Sequence, residues 1–251
     1  MRLLEGKLLA AQLLSTITFP DNTSLHVILI GDDPSSVKYV DLKKQKCLEK
    51  NIDFQLHHLP SDTSANTIIS LIEKLNKDPE VSAFFIQLPM PSHLNKNEII
   101  SYISPTKDVD GLTKNSPFTS AVALAVIKIL ENIDKKNKNI VVVNDSDLIG
   151  QPLKRILEKE STVTLCNEKT LDLKSVTKNA DILISATGVK NLITPDYVKE
   201  GSVVIDVANG DVDFAAVAPH TSYITPTFGS IGPLTIACLL LNLHLVSTNK
   251  L

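Results

Sequence analysis

The 251 residues carry 43% hydrophobic and 21% charged side chains, which excludes a disordered chain and allows one large core or two modest ones. A formal net charge of −3 supplies no overall basic field, so neither nucleic acid nor an anionic membrane is expected as a partner. Three widely spaced cysteines, Cys47, Cys166 and Cys238, fit a reducing compartment, the cytoplasm, better than a disulfide framework.

The opening MRLLEGKLLAAQLLSTI breaks its apolar residues with Glu5 and Lys7 and predicts an amphipathic helix rather than a signal peptide or membrane span. LHVILIG (25–31) then reads as a buried strand, and SSVKYVDLKKQKCLEKN (35–51) as a helix with Ser35 or Ser36 near its N-cap. FQLHHLP (54–60) is strand-like, with His57 and His58 expected at the surface; SANTIISLIEKLNKD (64–78) is helix-like, and SAFFIQLP (82–89) is a buried strand. This βαβαβ order predicts a parallel sheet.

A second series follows the helix AVALAVIKILENI (121–133): strand NIVVVN (139–144), helix QPLKRILEKE (151–160), then strands TVTLCN (162–167), ADILISATG (180–188) and GSVVIDVAN (201–209). The run IACLLLNLHLV is too short to cross a bilayer and reads as a buried helix. No solenoid period or low-complexity tract appears, and a domain boundary is expected near residues 112–120. The expected fold is α/β in two lobes. An N-terminal catalytic domain (1–118) takes back the C-terminal helix (233–251), and a Rossmann-like dinucleotide-binding domain with a parallel sheet spans 119–232.

Three segments carry candidate chemistry. In YVDLK, Tyr39 and Lys43 are four apart and project from one helix face. A lysine shielded from water has a lowered pKa and exchanges protons near neutrality; the same spacing also fits an exposed lysine beside a half-buried tyrosine. IQLPMP (86–91) puts Gln87 at the C-terminal end of a buried strand, the edge where α/β ligands bind, or where a loop glutamine satisfies backbone. PTKDVDG (105–111) sets Lys107, Asp108 and Asp110 in a turn whose carboxylates suit an amidine-like heterocycle, although a solvated turn has the same composition.

Taken in order, Tyr39 to Lys43, Gln87 to Pro91, Lys107 to Gly111 and Gly232 to Thr235 resemble the Y-V-x-x-K, Q-L-P-x-P, K-D-V-D-G and G-P-x-T motifs of the bifunctional methylenetetrahydrofolate dehydrogenase/methenyltetrahydrofolate cyclohydrolases. The resemblance covers essentially the whole chain. It implies that Lys43 moves protons while water adds to the methenyl carbon, that Tyr39 and Gln87 tune or position it, and that Asp110 grips the pterin edge. It further implies substrate contacts at Tyr39, Gly232 and Pro233, hydride transfer to a nicotinamide cofactor, an active site in the cleft between the lobes, one-carbon tetrahydrofolate derivatives as ligands, and a homodimer.

The family's cofactor loop resembles G-R-S-x-x-V-G-x-P and here stands as Asn144 to Pro152, with Asn144 for the glycine and Asp145 for the arginine. The family's C-H-S segment stands as Cys166, Asn167, Glu168. The resemblance thus places cofactor contacts at Asn144, Asp145, Ser146, Glu168 and Ala208. Two acids where a 2′-phosphate would lie disfavour NADP by about 1 kcal/mol even at water's dielectric constant. NAD is favoured, because a carboxylate near the second strand commonly accepts from a ribose 2′-hydroxyl. Phe118, Ser120 and Val122 in PFTSAV, the short DVANGDVDF, and Phe228 and Ser230 in TFGS also depart from the pattern and predict relaxed or lost cofactor binding.

A cyclohydrolase with weak or lost dehydrogenase activity and a catalytically silent binding protein are the alternatives; a generic Rossmann oxidoreductase would require a G-x-G-x-x-G turn, which is absent. The histidines show no metal-ligand spacing, so no metal is expected.

Overall fold

A computed structural model describes residues 1–248. It divides into two compact units: Met1–Leu13 with Val122–Cys238, and Leu14–Ala121 with the chain from Leu239 onward. The chain starts with a two-residue strand, β1 (Arg2–Leu3), and helix α1 (Gly6–Ser15).

The unit beginning at Leu14 is built on β2 (Ser24–Ile30), α2 (Pro34–Glu49), β3 (Asp53–Leu59), α3 (Ala65–Lys77), β4 (Ala83–Ile86) and α4 (Lys96–Ser101). The strands form a parallel sheet in the order β3-β2-β4, as the βαβαβ pattern requires. All of β4 and all of β2 except His26 are buried, whereas the edge strand β3 alternates between exposed and half-buried. The N-cap of α2 is Asp33 and not Ser35 or Ser36: its carboxylate accepts from the Ser36 amide at 2.8 Å, and Pro34 occupies the first helical turn. An acid before proline is the stronger start signal, because proline has no N–H to satisfy and the acid meets the positive helix end. His57 also departs from expectation. It is half-buried, with Nε2 3.0 Å from His26 Nδ1 and the rings stacked 5.2 Å apart; His58 is exposed, with Nε2 3.2 Å from Asp32.

The other unit continues with α5 (Ala121–Ile129), β5 (Asn139–Val143), α6 (Gly150–Leu157), β6 (Thr162–Cys166), α7 (Leu173–Thr177), β7 (Ile182–Ser185), β8 (Ser202–Asp206), α8 (Phe214–Val217), β9 (Thr221–Ile224) and α9 (Ile231–Ser247). Its parallel sheet runs β1-β9-β8-β7-β5-β6. The first strand of the αβ series, β5, has its successor β6 on one side and β7 on the other. That reversal is the switch point where doubly wound sheets open a crevice.

The units divide the chain differently at its ends from the expected 1–118 and 119–232. Met1–Leu13 groups with the second sheet because β1 pairs with β9, Arg2 opposite Tyr223 and Leu3 opposite Ile224. Helix α9 changes unit after Cys238, within its own length, and residues 249–251 of the expected C-terminal helix lie outside the described residues. Two residues give no readable strand period, which is why β1 was invisible in sequence. Cys47, Cys166 and Cys238 are all free and buried, and no helix among the described residues is long and apolar enough to cross a membrane.

Gly6 locks the first segment onto its sheet. A Cβ there would sit 2.2 Å from the Ser230 carbonyl oxygen, while Ser230 Oγ donates to the Leu4 carbonyl at 2.8 Å. Gly6→Ala is expected to destabilise the protein by about 1–3 kcal/mol, since a backbone must give way, despite alanine's better helix propensity. Thermal or urea unfolding measures this, and an unchanged midpoint would refute the tight packing.

Candidate active site

The inward stripe of α2 consists of Ser36, Val40, Lys43 and Cys47, spaced four, three and four as an amphipathic helix demands. One member is a lysine only 5% exposed. Its Nζ donates to Gln87 Oε1 at 3.0 Å and lies 4.1 Å from the centre of the Phe85 ring. Phe85 ends one residue short of the close of β4 and Gln87 follows it, so the two share the face that Lys43 meets. Gln87 is oriented in turn by its own amide, which donates to the Leu88 carbonyl at 2.6 Å.

Burial pulls the Lys43 pKa below the ordinary lysine value, and the Asp110 carboxylate opposes that fall. The same burial pushes Asp110 up to about 6, with Lys43 opposing and Asp108 adding to the rise. Burial likewise raises Tyr39, one turn before Lys43 and half-buried, and holds the Cys47 thiol at about 12, which leaves it inert.

The turn carrying Asp110 is braced by its neighbours. Asp108 is fully buried and accepts from the Leu112 amide at 3.0 Å and the Thr113 amide at 2.7 Å, which makes it a structural carboxylate and not a ligand group. Lys107 is spent on the Leu75 and Asp78 carbonyls at 2.8 and 2.6 Å. Gly111 has φ of +67°, and a Cβ there would lie 2.7 Å from Ser120 Cα, so glycine is required twice over. Asn242 of α9 donates to the Val109 carbonyl at 2.8 Å and the Thr119 carbonyl at 3.3 Å, tying both sides of that approach. Phe118 and Ser120, departures from the family pattern, are buried parts of this packing.

In the other unit a cavity of about 420 Å³ opens at the C-terminal ends of β5, β6 and β7. Asn144, Asp145 and Glu168 line it, together with Asn167, Thr187 and an apolar wall of Leu173, Val189 and Leu192 that sequence reasoning missed. The rule that ligands lie at strand C-termini beside the switch point would have found them. Asp145 Oδ2 accepts from Asn167 Nδ2 at 2.7 Å across the gap between the turn and β6. Thr187 is fixed by Asp211, whose Oδ2 accepts from the Thr187 amide at 2.6 Å and the Ser185 hydroxyl at 2.6 Å.

Not every expected contact position lines this cavity. Ser146 is exposed and Ala208 lies exposed in the turn after β8; neither lines the cavity. Gly232 and Pro233 open α9 in the unit that does not contain Lys43. Ser230 is fully buried and holds the N-terminal segment instead of facing a ligand, while Phe228 is 78% exposed. Among the described residues, no group of three or more His, Cys, Asp or Glu is placed to hold a metal.

Comparison with known proteins places both units. Residues 4–110 match the family model "Tetrahydrofolate dehydrogenase/cyclohydrolase, catalytic domain", and residues 119–250 match "Tetrahydrofolate dehydrogenase/cyclohydrolase, NAD(P)-binding domain". The bifunctional protein FolD of Wolinella succinogenes is 39% identical over 96% of this chain and 95% of its own length. FolD of Methanosarcina barkeri is 42% identical over 86% and 82%. The crystal structure of FolD, a methylenetetrahydrofolate dehydrogenase/cyclohydrolase, from Campylobacter jejuni superposes with a TM-score of 0.91 at 36% identity, covering 100% of both chains. With a buried lysine of α2 bonded to a glutamine just past β4 in one unit, a crevice at the switch point of the other's sheet, and matches over both halves, the chain belongs to the tetrahydrofolate dehydrogenase/cyclohydrolase family.

Proposed function

We propose that Lys43 is the proton carrier of a bifunctional folate enzyme that oxidises 5,10-methylenetetrahydrofolate to 5,10-methenyltetrahydrofolate and hydrolyses the product to 10-formyltetrahydrofolate. The observation that carries this reading is the buried Lys43 ammonium held by Gln87, its charge favoured by the Asp110 carboxylate. In the hydrolysis, water adds to the methenyl carbon and gives up a proton; a lysine whose pKa is lowered by burial parts with its own proton more readily than a solvated one and can take that of the water. The same group returns that proton to the ring nitrogen as its bond to the carbon breaks, while the adduct's hydroxyl becomes the formyl carbonyl and gives its own proton to solvent. Gln87 fixes the position of Nζ, Tyr39 borders it on the helix face, and Asp110 takes paired N–H donors of the pterin. Gly232 and Pro233 are proposed as further substrate contacts.

A nicotinamide dinucleotide supplies the hydride acceptor for the first step. The crevice residues fit its adenosine end: an apolar wall for the base and the Asp145 and Glu168 carboxylates as acceptors for ribose hydroxyls. Among Asn144, Asp145, Ser146, Glu168 and Ala208, the expected cofactor contacts, the first two and Glu168 are the ones that line it. NAD is therefore proposed over NADP. The buried free thiols support a reducing compartment, the cytoplasm, and the exposed edge of β3, where Leu56 is 40% exposed, leaves a strand available to a second copy in a homodimer.

Lys43→Met is expected to lower methenyltetrahydrofolate hydrolysis at least about 100-fold without unfolding the chain, followed by the loss of the substrate's absorbance above the buffer rate. A variant that retains the wild-type rate would remove Lys43 from the chemistry, and a wild type no faster than buffer would return the chain to a silent homologue.

The pH dependence follows from Asp110. Its carboxylate, at about 6 in the folded protein against an ordinary 3.8, is lost as the pH falls through about 6, so the KM for folate should rise below that pH. Stability runs the other way: a raised folded pKa favours the protonated fold, a contribution present below 3.8 and lost as the pH rises through about 6. In Asp110→Asn the acid limb of KM should vanish, and the limb of kcat that reports Lys43 should move to lower pH, since the opposing carboxylate is gone. A pH profile identical to the wild type's would contradict both assignments.

For the cofactor, kcat/KM with NAD is expected to exceed that with NADP by at least about tenfold, the effect of one or two kcal/mol of like-charge repulsion. Steady-state assays with both dinucleotides check this, and a clear NADP preference would overturn the roles of Asp145 and Glu168.

A further inference from the structure

The turn between β5 and α6 is already satisfied from within. Asn144 Oδ1 accepts from the Ser146 amide at 2.9 Å, the Ser146 hydroxyl at 2.7 Å and the Gly150 amide at 3.3 Å. Ser146 Oγ accepts in turn from the Ile149 amide at 3.2 Å, and the residue at the N-cap of α6, Ile149, has no side-chain acceptor of its own to offer. The other end of the Asn144 amide donates to the Ala186 carbonyl at 2.8 Å, one residue past the end of β7. One side chain therefore occupies the Gly150 amide that opens α6 and the Ser146 amide of the turn before it, and also bridges β5 to β7 at the switch point, while lining the 420 Å³ cavity.

We infer that Asn144 is an internal competitor for the dinucleotide: its amide oxygen holds the place that a phosphate oxygen of the cofactor would take, so binding must first displace it. This rests on the dinucleotide reading of the cavity. Oriented backbone amides at the start of a helix are the usual partners of a dinucleotide phosphate, and a glycine at this position would leave them open to it. A tethered amide has a high local concentration and a second anchor at Ala186, so displacing it also costs the bond to that carbonyl and strands a polar group in a half-buried crevice. The acid at Asp145 sets which dinucleotide is tolerated; Asn144 sets how tightly any of them is held.

The test is the dissociation constant of NADH, by fluorescence titration, for the wild type, Asn144→Gly and Asn144→Ala, with unfolding midpoints showing that each variant is folded. Both variants are expected to bind about tenfold more tightly, the effect of one or two released hydrogen bonds. Wild-type affinity equal to or better than that of both folded variants overturns the inference and leaves the dinucleotide reading standing. Failure of all three proteins to bind NADH or NADPH overturns both. The wild type alone gives an independent measurement: saturating NADH should shift the Asn144 side-chain amide resonances in a ¹⁵N-resolved spectrum, and signals that stay in place would overturn the displacement.

Discussion

The burial of one ammonium group constrains the folate half of this protein. Lys43 occupies an inward position of α2 that the helix period assigns to an apolar residue, and it can stay there because Gln87 and the Phe85 ring replace water around it while the Asp110 carboxylate favours its charge. Removing a charge from water costs several kcal/mol in a real protein, against about 1–2 kcal/mol for each charged hydrogen bond or desolvated cation–π contact. The balance pulls the lysine's pKa below its ordinary value. Every brace around the Asp110 turn, from the buried Asp108 to Asn242 of α9, serves to keep the opposing carboxylate where it tempers that balance.

The dinucleotide half is governed by a different economy of donors. A parallel sheet leaves strand-end amides and helix starts pointing into its crevice, and those groups must find acceptors in any state of the molecule. Here the acceptors are side chains of the turn itself. The two halves thus differ in kind: one maintains an unfavourable charge in a prepared setting, the other pairs the donors of its turn with side chains of the same turn.

Much of this was legible in the chain. The alternation of LHVILIG, FQLHHLP and SAFFIQLP with helical stretches fixes a parallel sheet, and the four-residue spacing of Tyr39 and Lys43 fixes their common face. What stayed hidden depends on contacts between distant segments. Nothing in the order of residues indicates that Phe85 lies under Lys43, that Asn144 reaches Ala186, or that Arg2 and Leu3 pair with β9. His57 misled for a related reason: alternation on an edge strand says which residues share a face, not whether a histidine on the next strand will cover one of them. Ser230, a departure from the motif in sequence, has its hydroxyl spent on the carbonyl of Leu4, a contact between segments more than two hundred residues apart.

Gly150 shows how such a turn is free to change its chemistry. A Cβ there would lie 2.1 Å from the Asn144 carbonyl oxygen and 2.7 Å from Asp145 Cα, so this one position carries the close passage of helix against turn. The exposed side chains at 145, 146 and 147 meet no such backbone wall, although Ser146 accepts from the Ile149 amide and Asp145 from Asn167. Within one nine-residue segment, then, Gly150 bears the close packing alone, Asn144 joins framework to ligand site, and Asp145 can change with the least disturbance to the turn.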